Sequence, residues 1–548
     1  MSFKQAIKQN KTKKFLLLLV IAVMATAFTA SNSKYYEIAK NLEIFSNVFK
    51  EINMLYVDEL EPGELMKTGI DAMLESLDPY TNYISESDME GFRFATQGKY
   101  KGIGARVAGL NEFPTILSVY KDSPADKAGL KVGDKFYSLN GNLVENRSFD
   151  EVEAILKGSP GTVVECQIIR PGVDEKLNID LIRDEVIVEN VPYYGMVHDN
   201  IAYVSLTTFT QKAGLNIEKA LAELKKDHDV KGMILDLRNN GGGLLMEAVN
   251  ISNIFIPKGE LVVSTKGKSA EWDRNFLTNK NVVDPDIKLA VLVNGRSASA
   301  SEIVSGVIQD YDRGVVIGQK SYGKGLVQNT KDVGFNSKVK LTTAKYYIPS
   351  GRCIQSVDYK DGEPVNIPEE QRAKFKTRNG RVVLDGGGVL PDLILEKETN
   401  DAFTQNLISR YVLFDFVNEY YAGTDSIANL SDYHFTDWAA FNAYLKKIDF
   451  TYKTVAESEL EALSKASEQD ELTINTQLDA IRKSIESQKA LAPEKNKERL
   501  ISLIEMEIAN KFGYQRGQTE MNLRNDNEVD YAVEVLLDDE KYKSTLSN

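Results

Sequence analysis

Apolar residues recur at helical spacing between residues 35 and 95, as at Ile44, Val48, Ile52 and Leu55. The pattern breaks at Asp78-Pro79-Tyr80, a turn signal. From about 96 to 186 it changes to short alternating runs between glycine turns: KGIGARVAG, TILSVYKDSPADKAGLKVGDKFYSLNG and GTVVECQIIRPG. Residues 187–398 place the apolar runs VKGMILDLR, KLAVLVNG and RGVVIGQ between helical patterns, the alternation an α/β sheet requires. Beyond 398 the chain reads as almost entirely helical. Ile474, Leu478, Ile481 and Ile485 follow a 4-3-4 spacing there, and Pro493 suits the first turn of a following helix.

These patterns predict a multidomain chain. A segment at 1–30 precedes N-terminal helices at 31–95, a β-rich module at 96–186, an α/β core at 187–398 and a helical C-terminal region at 399–548. In the first segment, Lys4, Lys8, Lys11, Lys13 and Lys14 precede the apolar run FLLLLVIAVMATAFTA, residues 15–30. A basic stretch before a short apolar run fits an export signal, with Ala25-Thr26-Ala27 as a cleavage site. An uncleaved membrane anchor is the alternative, although a spanning helix needs ~20 residues. No cysteine follows the run, so lipid attachment there is excluded. The expected location is outside the cytoplasm, in a bacterial periplasm or cell envelope.

Composition narrows the chemistry. The 548 residues carry 66 basic and 80 acidic side chains, a net charge of −14, which argues against a general nucleic-acid binder. There are three histidines (His198, His228, His434) and two cysteines (Cys166, Cys353), all scattered, so a Cys/His zinc site is excluded and no metal or cofactor is expected. Ser-His-Asp chemistry is equally poorly supplied. The cysteines lie in separate segments and are expected to be reduced and unpaired.

In the β-rich module, Lys101-Gly102-Ile103-Gly104-Ala105 opens a strand with glycines that leave backbone N–H groups free to converge on an anion. Ser123-Pro124-Ala125, Ala128-Gly129-Leu130 and Gly133-Asp134 follow. This order resembles a PDZ domain, a fold that captures a chain terminus by adding it as a strand to a sheet edge. The resemblance implies that Gly102, Ile103, Gly104 and Ala105 hold the terminal carboxylate of a substrate tail. Arg170, at the end of a strand, is expected to be a solvated charge, with a relay to the core as the second reading.

In the core, the run KLAVLVNG ends in Arg296-Ser297-Ala298-Ser299-Ala300-Ser301-Glu302, and Ile303, Val304, Val307 and Ile308 continue at helical spacing. Ser299 with Glu302 fits a capping box. A hydroxyl at a helix N-terminus also lies near N–H groups able to stabilise an oxyanion. Beyond the strand-like Arg313–Gly318 run, Lys324 stands between Gly323 and Gly325. A lysine acts as general base only when neutral, and burial moves its pKa down from ~10.4. A Ser-Lys pair therefore needs no histidine.

SASASEI followed by SYGKGLVQ, with Lys324 25 positions after Ser299, resembles the C-terminal processing peptidases, or tail-specific proteases. KYYIPSGR at 345–352, DLRNNGGG at 236–243 and GVLPD at 388–392 match in the same order. The resemblance implies a protease core of crotonase or Clp-protease type, with Ser299 as nucleophile, Lys324 as general base and Gln328 orienting the lysine. It also implies an oxyanion hole made by Ala300 and either Gly241 or Gly242. A straight strand would separate Lys324 from Gln328 by ~13 Å, so the chain must bend near Gly325. Ser297 and Ser301 are expected to pack or cap. Asp310, eleven residues beyond Ser299 and ~16 Å away along a helix, is expected to be structural.

The polar segment 356–385 is expected to be a surface insertion with a hairpin at Asn379-Gly380. The helical C-terminal region could dimerise, shield substrate or dock an adaptor. Gly318-x4-Gly323-Lys324 imitates a P-loop, but Gly325 stands where that motif needs Ser or Thr, and a strand follows instead of a helix. A non-catalytic PDZ scaffold and an enoyl-CoA hydratase relative are further readings. The full set of Ser299, Lys324, Gln328 and the glycines opposes the first, and export with a PDZ-like module opposes the second. The expected partners are proteins with unstructured C-terminal tails, an adaptor, a second copy of the chain through its helices, and a membrane through residues 15–30.

Overall fold

The computed structural model describes residues 34–110, 112–360, 363–366, 368–470 and 472–547. The expected signal or anchor at 1–30 lies outside the described residues. No helix among them is long and apolar enough to cross a membrane.

The described residues divide into two compact units, one ending at Tyr83 and one beginning at Ile84. In the first, a helix spans 34–55 and a second runs Pro62–Glu75 with proline in its first turn. The expected turn follows. The Asp78 carboxylate accepts the Tyr80 N–H at 2.8 Å, the Thr81 N–H at 2.9 Å and the Thr81 hydroxyl at 3.0 Å, which bends the chain at Pro79. Ile44, Val48, Ile52 and Leu55, read from their spacing as one apolar face, are all exposed.

In the second unit, the core sheet has strand order Tyr193–His198, Ile201–Ser205, Gly232–Asp236, Lys288–Val293, Val315–Gly318 and Leu393–Ile394. The first pair is antiparallel and the rest are parallel. Side chains on a strand alternate between faces, and Lys288–Val293 uses both. Leu289, Val291 and Val293 pack with helices Ala213–Asp227, Leu245–Phe255 and Ala300–Asp310. Ala290 and Leu292 pack on the other face with Val529, Ala532, Val535 and Tyr542. Those last residues belong to helices Asn527–Leu537 and Asp539–Leu546, which therefore cover the second face of the core sheet.

The β-rich module forms a separate sheet, and Ala105–Leu110 lies at its edge. Its entry and exit are joined where Lys99–Gly102 pairs antiparallel with Asp184–Ile187. Helix Phe149–Leu156, opened by a Ser148–Glu151 capping box, packs Val152 and Leu156 into the module's core. Arg170 corrects the sequence reading. It is no solvated charge, because its guanidinium grips fully buried Asp134 through Nε at 2.8 Å and Nη2 at 2.7 Å, and donates to the Gly129 carbonyl at 2.7 Å. The bidentate pair pins the Gly133-Asp134 turn to the strand end.

Segment 356–385 carries two hairpins, Val357–Lys360 with Glu363–Asn366 and Lys374–Lys376 with Val382–Leu384. The second turns at Asn379-Gly380 as expected. It is also anchored inward, since Arg381 pairs with Asp312 at 2.7 Å and Asp392 at 2.5 Å. The C-terminal region is helical, with its own aromatic core around Phe416 and Phe441. Pro493 lies in the first turn of Ala492–Lys495, and of the 4-3-4 set only Leu478 is fully buried. The helix Lys497–Leu523 reaches the β-rich module, where Asn510 donates to the Leu117 carbonyl at 2.9 Å and the Tyr514 hydroxyl donates to Asp126 at 2.8 Å. Both cysteines are free.

Candidate active site

Strand Lys288–Val293 runs into helix Ala300–Asp310 through a turn of small residues. At the helix start Ser299 has φ 55° and ψ −111°, a backbone state that costs a non-glycine residue on the order of 1–3 kcal/mol. The serine cluster splits by environment. Ser297 and Ser301 are fully buried and donate to the carbonyls of Leu237 and Asn240, both at 2.8 Å. They fasten the turn to the loop after Gly232–Asp236, as their expected packing role requires. Ser299 is half-buried.

Glu302 does more than cap. It is fully buried, and its carboxylate accepts four donors: Ser299 N–H at 2.8 Å, Lys324 N–H at 2.8 Å, Gly323 N–H at 2.5 Å and the Ser321 hydroxyl at 2.6 Å. Burial pushes this carboxyl above the usual range, against the pull of the four donors. A second group joins the same two segments. The hydroxyl of buried Tyr346 lies 2.6 Å from the Lys324 carbonyl oxygen and 3.2 Å from that of Ser299. Ser299 and Lys324 are thus held to each other through their backbones at two points. Gly325 N–H donates to Gln355 Oε1 at 2.6 Å, fixing the chain just beyond the lysine.

The strand after Lys324, Leu326–Gly334, pairs with Ser337–Tyr347, and the register shifts between Val327 and Gln328. The irregularity lies three residues beyond Gly325, where a bend was expected. Gln328 Nε2 donates to the Thr342 hydroxyl at 3.1 Å.

Gly242 lies directly beneath the turn. A Cβ on it would stand 2.7 Å from the Ala298 carbonyl oxygen and 2.9 Å from Ser299 Cβ, and its φ is +96°. Its N–H donates to Asn240 Oδ1 at 2.9 Å. Gly241 is exposed, with open space where a Cβ would go. Ala300, the first helical residue, is buried beside them.

The loop's other end is set by Arg238. Its guanidinium reaches Asp236 at 2.6 Å, Asp526 at 2.7 Å and Glu528 at 2.7 Å. Asp526 also accepts the Glu528 and Val529 N–H groups as N-cap of Asn527–Leu537. Asp310 is structural, as expected. It forms a buried ion pair with Arg352 at 2.9 Å and accepts the Ser350 N–H at 2.9 Å, locking the turn that follows Tyr346.

In the β-rich module, a cavity of ≈ 340 Å³ lies between the edge strand Ala105–Leu110 and helix Phe149–Leu156. Ile103, Ala105 and Val107 line it from the strand side, Phe149, Glu153 and Leu156 from the helix. Gly104 has φ +80°, and a Cβ there would lie 2.2 Å from Ser123 Cβ. Its carbonyl accepts the Tyr120 N–H at 2.9 Å and the Ser123 hydroxyl at 3.0 Å, while the Ile103 carbonyl accepts the Ala125 N–H at 2.7 Å. In a trans peptide C=O and N–H point opposite ways. The Gly104 and Ala105 N–H groups therefore face away from those partners. The edge of Ala105–Leu110 is also open to a further strand.

Sequence reasoning took Glu302 only as a cap, and it missed Tyr346, Asn240 and the Asp526–Glu528 pair. Tyr346 lay within the quoted KYYIPSGR motif, which was the available signal.

The chain matches Peptidase family S41 over residues 200–361 and a PDZ domain over 115–170. Residues 403–536 match the family described as "Probable PDZ-protease, C-terminal helical domain". The carboxy-terminal-processing protease of Bartonella bacilliformis is 34% identical over 357 residues, 65% of this chain and 81% of that protein. A "Probable CtpA-like serine protease" of Staphylococcus aureus strain COL is 32% identical over 363 residues, 65% and 72% of the two chains. Among solved structures, the photosystem II D1 C-terminal processing protease is 25% identical over 64% of this chain and 92% of that one, with a TM-score of 0.35. The expected combination of a PDZ domain, a protease core and helices at both ends is borne out. The chain belongs to the carboxy-terminal-processing proteases of peptidase family S41, and is a PDZ-containing serine protease.

Proposed function

We infer that the chain is an exported endopeptidase that hydrolyses peptide bonds with a Ser299–Lys324 dyad. Ser299 attacks the peptide carbonyl, Lys324 takes its proton, and the lysine then protonates the leaving amine as the acyl-enzyme forms. Water, activated by the same lysine, releases the product. The observation that carries this reading is the double link between Ser299 and Lys324 through Glu302 and Tyr346, with Ser299 on a strained strand-to-helix turn. A fold stores such strain where a reactive group needs a fixed aim.

Ala300 N–H, at the helix start, and Gly241 N–H are the oxyanion donors in this reading. Gly241 is preferred to Gly242 because the Gly242 N–H is already engaged by Asn240. Gln328 orients Lys324 from the strand that follows it. Export rests on the basic and apolar N-terminal pattern, which also allows membrane association through residues 15–30. The substrate is a protein with an unstructured C-terminal tail, whose terminal carboxylate meets the Gly104 and Ala105 N–H groups at the groove's end while the tail pairs with Ala105–Leu110. The exposed apolar face of helix 34–55 supports assembly with a second copy, and the helical C-terminal region supplies surface for an adaptor.

The test is cleavage of an unfolded-tail protein substrate by the full chain. Ser299→Ala and Lys324→Ala should each abolish cleavage and leave the melting temperature near wild type. Near-normal turnover of Lys324→Ala at neutral pH would overturn the dyad.

A further inference from the structure

The groove that receives the tail in this reading is also lined by a residue from outside the strand–helix pair. Tyr100, in the strand Lys99–Gly102, lines the cavity together with Glu90, Gly91 and Phe94 of the preceding helix Met89–Gln97. Its ring meets Phe94 edge to face, with centroids 5.5 Å apart at 84°. An edge of the ring also lies against Gly102, where a Cβ would stand 2.8 Å from a ring carbon. The ring is therefore held from two sides and aimed at the glycine loop.

The partners of the Ile103 and Gly104 carbonyls turn the Gly104 and Ala105 N–H groups into the groove, where both favour charge on the Tyr100 hydroxyl oxygen that faces them. Burial pushes that hydroxyl well above the ordinary tyrosine range, with Tyr120 adding to the rise. The phenol is neutral throughout the working pH range. It faces the two donors as a neutral acceptor.

We propose that Tyr100 is an internal occupant of the carboxylate site, a plug that an incoming substrate tail must displace. The proposal rests on the tail-capture reading of the glycine loop and adds the residue that sets its affinity. An ionised carboxylate accepts N–H bonds roughly twice as strongly as a neutral group, so a free chain end can take over the two donors. The exchange has a cost, because the ring leaves its contacts with Phe94 and Gly102. A protein that binds only after a site opens shows an affinity reduced by the fraction open. Weakly held chain ends are thus rejected, and the edge strand is kept from pairing with arbitrary segments.

The experiment measures binding of a fluorescein-labelled ten-residue peptide ending in Ala-Val-Ala, with a free carboxylate or as its amide. It uses the full chain carrying Ser299→Ala, with Tyr100 or Tyr100→Phe. Phenylalanine keeps the ring and its packing and removes only the occupying oxygen. Tyr100→Phe should tighten binding of the free-acid peptide about three- to tenfold, the scale of a released hydrogen-bond acceptor. The amide should gain less. If the chain with Tyr100 prefers the acid but Tyr100→Phe binds it no better, or more weakly, the plug is overturned while tail capture stands. A preference for the acid that appears only in Tyr100→Phe supports the plug. No preference for the acid in either protein overturns both readings.

Discussion

Glu302 accepts the backbone N–H of Lys324 at 2.8 Å with the same carboxylate oxygen that accepts the N–H of Ser299 at 2.8 Å. One buried side chain thereby fixes the separation of two residues 25 positions apart in sequence. The four donors around this carboxylate leave no place for a donor in return.

Glu302→Gln tests that arrangement. An amide would turn an NH2 group toward two of the four donors, and a buried polar group left unsatisfied costs about 1–3 kcal/mol. The melting temperature should fall, and cleavage should fall further than the loss of folded protein explains, with Ser299 and Lys324 both intact. Thermal melts beside kcat/KM separate the two effects.

Gly241→Ala and Gly242→Ala should behave oppositely. Alanine at 241 meets open space and keeps its N–H, so activity should stay within a few-fold of wild type. At 242 it would meet the Ala298 carbonyl at 2.7 Å in a positive-φ position and push the turn bearing Ser299. A loss of about 10²-fold or more in kcat/KM is expected, the scale of a displaced oxyanion contact. Steady-state kinetics of the two variants on one substrate checks this.

Asp526 links the end of the chain to the active-site loop, both as a partner of Arg238 and as a helix cap. Asp526→Asn keeps a capping oxygen and removes the charge, whereas Asp526→Ala removes both, and a lost cap costs about 0.5–2 kcal/mol. Both variants should lower turnover, and alanine should lower the melting temperature more. Equal turnover in wild type and Asp526→Asn would show that the ion pair does not position the loop.

A pH dependence follows from Lys511, which bridges the helical region and the PDZ domain by donating to the Val132 carbonyl at 3.0 Å and to Asn418 Oδ1 at 2.8 Å. Burial lowers its pKa to about 8, against the pull of Asp134 and with the push of Lys131 and Arg170. Between about 8 and the free-lysine value the unfolded chain binds the proton that the folded chain has released. Stability attributable to Lys511 therefore rises with pH across that window. The melting-temperature difference between wild type and Lys511→Met should move in favour of wild type from pH 7 to pH 10. A difference independent of pH would contradict the assignment.

Local pattern made the strand-to-helix turn at 293–300 legible, because an apolar run, small residues and a Ser-x-x-Glu cap adjoin in sequence. The PDZ glycine loop was legible for the same reason. What escaped notice is non-local. Arg238 takes two of its three partners from 288 and 290 positions away, and Arg170 takes Asp134 from 36 positions back. No local spacing signals such pairs. Glu302 shows the boundary most clearly: its bond to the Ser299 N–H could be read from spacing, but its bonds to residues 321–324 depend on how the next strand packs. Helix 34–55 shows the converse, with a regular apolar spacing whose side chains are exposed.

The central claim is that Lys324 activates Ser299, and a serine-reactive acylating probe followed by peptide mass spectrometry tests it most directly. The account predicts label on Ser299 in the wild-type chain, at a rate that rises with pH, and none at Ser297 or Ser301. It predicts that Lys324→Ala, folded and with the Glu302 contacts to the backbone retained, loses the label. Labelling of Ser299 in Lys324→Ala at the wild-type rate, or label on another residue, would contradict it.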